Sequence, residues 1–103
     1  MASRGVLVIH RADQDSREPL LGHQEKPECG CGWWDYTHTK EEPARQPVET
    51  LAPEYYRYGV LCLPDGQLLF HPEAWADDDW EFLVRLILSY YPGHLASIIW
   101  CHS

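Results

Sequence analysis

The chain has 103 residues, 45% of them hydrophobic, which is enough for one domain with a real core and excludes wholesale disorder. Sixteen Asp and Glu against eight Lys and Arg give a net charge of −8, which disfavours direct binding to nucleic acid. The same charge suits a basic protein surface, although it would also serve simply to keep a small protein soluble.

The opening, MASRGVLVIHR, lacks the apolar run and small-residue cleavage site of a signal peptide. Residues 82–91, the longest mainly apolar stretch, are interrupted by Arg85 and too short to span a bilayer. A cytoplasmic protein without membrane contact is expected. In that reducing compartment the four cysteines read as thiols or metal ligands rather than disulfides.

Residues 5–10, GVLVIH, have the β-branched and apolar content of a buried strand. From 11 to 53 the character changes: five of the eight prolines fall here and apolar residues thin out, so a long Pro-rich loop is expected. Trp33, Trp34 and Tyr36 argue that its middle packs on something, with a short strand over WWDYT.

Residues 55–71 read as a β-hairpin, YYRYGVLCL and QLLFH joined by PDG, with Gly66 as the left-handed residue of the turn. Neither face of its first strand is cleanly polar, so both faces are expected to be partly covered. A helix follows over about 78–91, capped by Asp77 or Asp78, with Glu81 closing a capping box and able to pair with Arg85. Trp80, Leu83, Val84, Ile87 and Tyr91 form its main apolar face, which Phe82 and Leu86 widen. Pro92 and Gly93 end it, and LASIIWC is a last strand. The fold class is therefore α+β: one domain over 1–103, with a small antiparallel sheet of three to five strands packed against one main helix. A helix apolar around most of its circumference needs further cover, from the loop, a second subunit in a homodimer, or a partner.

Three constellations bear on chemistry. His23, Cys29, Cys31 and His38 supply two thiolates and two imidazoles, a donor set that suits tetrahedral zinc. Their spacing is not that of a zinc finger, and two unligated thiols in a Gly-rich turn explain it as well. A cysteine nucleophile at Cys29 or Cys31 lacks any local base or oxyanion donor, whereas Cys62 and Cys101 read as small core residues. Four scattered histidines, His10, His71, His94 and His102, read as surface or capped side chains. The run EAWADDDWE gathers five acids without a basic residue. Acids at a helix start favour the macrodipole, but Trp75 and Trp80 among them also give the layout of a binding surface.

The leading expectation is a small non-enzymatic acidic module of the inhibitor, immunity or antidefence type, docking on a basic surface of another protein. Asp77, Asp78, Asp79 and Glu81 would carry the charge, and Trp75, Trp33, Trp34 and Tyr36 the aromatic anchors. No cofactor is needed for that role. A zinc-stabilised domain and a cysteine-dependent enzyme are the alternatives.

Overall fold

A computed structural model describes residues 3–23, 35–41 and 45–102, with side chains over 5–20 and 45–100. The fold is α+β. Strands β1 (Ser3–His10), β2 (Asp35–Glu41), β3 (Gln46–Pro47), β4 (Val60–Cys62), β5 (Leu68–Phe70) and β6 (Leu95–His102) form one sheet, and helix α1 (Asp77–Leu88) packs on it. Strand order is β2-β6-β1-β4-β5, with the two-residue β3 also on β6. Every pairing is antiparallel except β1 with β4, where Leu7 pairs with Leu61 and Val8 with Cys62 in parallel. The sheet is thus mixed where an antiparallel one is expected from the sequence. The reason is the excursion over 11–59, which reaches the far edge through β2 and β3 and returns the chain to β4 running alongside β1. A crossover that long permits parallel pairing, which a tight turn cannot.

Both sheet faces are covered. Leu7, Ile9, Leu61, Ala96 and Ile98 meet Trp80, Val84 and Leu88 of α1. On the other face Val6, Val8, Val60, Cys62 and Ile99 pack with Leu20, from a 3-10 turn over Glu18–His23. A strand buried on two sides needs apolar residues at consecutive positions, which is what GVLVI and LASIIW provide. The Pro-rich segment therefore has structure of its own among the described residues: two 3-10 turns, β2 and β3 before Pro53.

The hairpin is shorter than the sequence suggests. Pro53 starts a 3-10 turn over Pro53–Tyr58, and Gly59, at φ 75°, ends it, so only Val60–Cys62 is strand. Tyr56 consequently shares a core with Leu61, not with Val60 and Cys62 as strand alternation would require. The turn itself is as expected. Gly66 has φ 94°, its N–H donates to the Leu63 carbonyl at 2.8 Å, and Asp65 Oδ1 accepts from the Gln67 N–H at 3.0 Å.

Helix α1 begins at Asp77 and ends at Leu88. Its N-cap is Ala76, without a side-chain cap, so the capping box does not form. The Glu81 carboxylate is instead taken by the Arg57 guanidinium, and Arg85 lies over the Tyr56 ring, 6.0 Å from its centroid, so the Glu81–Arg85 pair is absent too. Beyond Leu88 the chain tightens into turns: Tyr90 and Tyr91 donate to Ile87 and Leu88 at 2.9 and 3.1 Å. Pro92 disfavours a helical conformation at Tyr91, and this accounts for the early end.

Candidate functional site

Helix α1 is two-sided. Trp80, Val84 and Leu88 are buried, with Leu83, Ile87 and Tyr91 partly covered beside them. The opposite side carries Phe82, Leu86 and Tyr90, which are 68%, 44% and 72% exposed. Aromatic and aliphatic side chains left so open cost free energy in water, roughly 25 cal/mol for each Å² of apolar surface. Trp75 joins this side from the turn before the helix, where its N–H donates to the Pro72 carbonyl at 3.0 Å. Trp75, Asp79, Phe82, Leu83 and Leu86 together line a groove of about 390 Å³.

Asp77, Asp78 and Asp79 occupy the first turn of α1, exposed and aligned with its positive end. Asp77 Oδ1 lies 3.3 Å from His71 Nε2. The His71 ring is held by Nδ1, 2.7 Å from the Pro72 carbonyl, and rests on Trp80. Asp78 and Asp79 have no side-chain ion pair or hydrogen bond among the described residues. Arg11, Arg17 and Arg57, by contrast, each stand beside a carboxylate. Unneutralised negative charge is therefore concentrated at one end of the apolar row.

The other nominated residues are placed differently. Glu81 belongs to the opposite flank, where its side chain is only 18% exposed and engaged by Arg57, so it ties the 3-10 turn to the helix. Tyr36 lies in β2, and Trp33 and Trp34 fall outside the described residues. Of the zinc set, His23 ends the 3-10 turn over Glu18–His23 and His38 lies in β2, while Cys29 and Cys31 fall outside the described residues. Cys62 is a core residue, as its pattern implies. Phe82, Leu86 and Tyr90 are not among the anchors expected from the sequence, although the excess apolar circumference of the helix is their signal.

One histidine breaks the surface pattern. His10 is fully buried, with Nε2 2.8 Å from Ser97 Oγ and Nδ1 3.1 Å from the Arg11 carbonyl. Ser97 Oγ also accepts the Arg45 N–H at 2.8 Å, and Arg45 holds φ 56°, while its guanidinium donates to the carbonyls of Ala12 and Gln14. These contacts fasten residues 11–14 and 45 to the start of β6. Ser97 is as buried as His10.

A second, smaller cleft of about 220 Å³ lies on the far flank of α1, among Val48, Glu49, Tyr56, Arg85, Leu88, Ser89 and Pro92. Among the described residues no helix is long and apolar enough to cross a membrane. Comparison of the chain with protein-family models, with curated proteins and with solved structures finds no match.

Proposed function

We propose that the protein is a non-enzymatic binding module that acts by occupying a basic surface of another protein through the exposed side of α1. The observation that carries this reading is the row Trp75, Phe82, Leu86 and Tyr90, apolar and open, with Asp77, Asp78 and Asp79 at one end. Aromatic anchors beside charge are the usual composition of energetic centres at interfaces. The net charge of −8 steers encounter with a basic partner and raises its rate at low salt. If that partner normally grips nucleic acid, the three carboxylates take the place of phosphates.

The test is charge reversal. A partner captured from host cells by the unmodified chain should bind with an affinity that falls as salt rises. D77K/D78K/D79K should abolish that binding while the chain still unfolds cooperatively in denaturant. Unchanged affinity in the triple variant would overturn the proposal.

A further inference from the structure

We infer that the segment seated on this face is an amphipathic helix of the partner with a Lys or Arg inside its apolar stripe. The inference rests on the binding reading above and specifies the partner's form. Within α1, Asp79, Phe82 and Leu86 follow one another at steps of three and four residues, and Trp75 and Tyr90, from the turns before and after the helix, extend the row at its two ends. Residues so spaced form a single stripe along a helix, and alternating steps of three and four are how two helices mesh side by side. The groove beside the stripe is open along α1, a geometry that accepts a helix laid lengthwise. The β5 edge of the sheet, only Leu68–Phe70, is too short to offer a comparable docking site.

Asp79 decides the chemistry of the occupant. Among the described residues it is the one charged residue lining the groove, and none of them supplies a cation that holds it. Covering a carboxylate with apolar surface is costly unless the incoming face brings a positive charge to it. A second copy of this chain brings none from the same stripe. The cation nearest in sequence, Arg85, is on the far flank over Tyr56. Pairing two copies through α1 would also set like charges together in a molecule already at −8. The site therefore favours a basic foreign helix over self-association.

The probe is a displayed library of random peptides of about 16 residues, enough for four helical turns, selected on the full chain. The expected winners carry apolar residues three and four apart with a Lys or Arg in the same stripe, and they gain helical signal on binding. F82D and L86D should weaken them about a hundredfold, and D79N about tenfold through loss of the charged partner. All three positions are exposed, so each variant should still unfold cooperatively, with only the small loss that removing an acid from the first turn or adding an acid within the helix brings. Winners without helical period or cation, winners indifferent to F82D, or no winners at all would overturn the inference. So would a dimer in light scattering that L86D dissociates. A host partner lost with D77K/D78K/D79K but indifferent to F82D, L86D and D79N would leave charge-steered docking standing and remove both the helix and the apolar row as its contact.

Discussion

Trp80 and Phe82 stand two residues apart on one helix and face opposite ways, the first 2% and the second 68% exposed. The helical repeat makes this unavoidable, since a step of two residues turns a side chain by about 200°, onto the other side of the helix. It also separates what holds the fold from what is available to a partner. W80A should cost about 3–5 kcal/mol in denaturant titration, the usual effect of emptying a large core site. F82S should change stability by less than about 0.5 kcal/mol, as an exposed substitution does. A comparable loss in both variants would mean that Phe82 is covered.

Trp80 permits a finer comparison. Its indole Nε1 is buried with no hydrogen-bond partner among the described residues. W80F removes that donor while keeping an aromatic ring, so its cost should be well below that of W80A. An unpartnered buried polar group contributes nothing to offset its desolvation. Equal midpoint shifts for W80F and W80A would show that the indole N–H has an acceptor.

Much of this architecture is legible in the sequence, and the exceptions have physical causes. The strands around Val6–Ile9 and Ile98–Ile99, the Pro64–Gly66 turn and α1 are written in short-range patterns of burial and turn chemistry. The parallel pairing of β1 with β4 is not, because it depends on where a segment of about fifty residues (11–59) brings the chain back. Tyr55, Tyr56 and Tyr58 suggest a strand by β-propensity, but Pro53 at the first turn and Gly59 at the end override it. On the functional side, the excess apolar circumference of α1 points to a surface, whereas nothing in the run EAWADDDWE separates its acids from one another. Glu81 separated from them only because Arg57 arrives from the 3-10 turn.

Gly59 offers a direct check of that override. At φ 75° it holds a conformation that a side chain disfavours, and an added Cβ would meet only His71 Cβ, at 3.9 Å. There is room for the methyl group, so the penalty for G59A is conformational. A loss of about 1 kcal/mol is expected, seen as a lower denaturation midpoint at unchanged m-value. A neutral or stabilising G59A would mean that the strand extends back through residue 59.

Glu49 should make stability depend on pH. The Gly93 N–H donates to its Oε1 at 2.7 Å, and this bond holds the carboxyl below its ordinary value of 4.5, with a smaller contribution from His94. A depressed folded-state value means that the stabilisation is complete above the ordinary value. It is lost as pH falls through the lower folded one. E49Q keeps an acceptor for Gly93 but cannot titrate, so its stability profile between neutral and acid pH should fall less steeply than the parent's. Superimposable profiles would show that the carboxylate charge contributes nothing there.

Ser97 is the point at which three separated pieces of chain meet. Its oxygen accepts the Arg45 N–H and lies 2.8 Å from His10 Nε2. S97A removes both functions from a fully buried position, and the expected cost is about 1–3 kcal/mol, the range for weakening the satisfaction of buried polar groups. The more specific readout is amide exchange. The Arg45 N–H should lose protection in S97A by more than the global destabilisation explains, while amides of α1 should follow the global change alone. S97T restores the hydroxyl at a strand position that tolerates a β-branched residue, and it should recover protection at Arg45. Exchange at Arg45 that tracks the rest of the molecule in S97A would show that this hydrogen bond does not hold the 45 corner to β6.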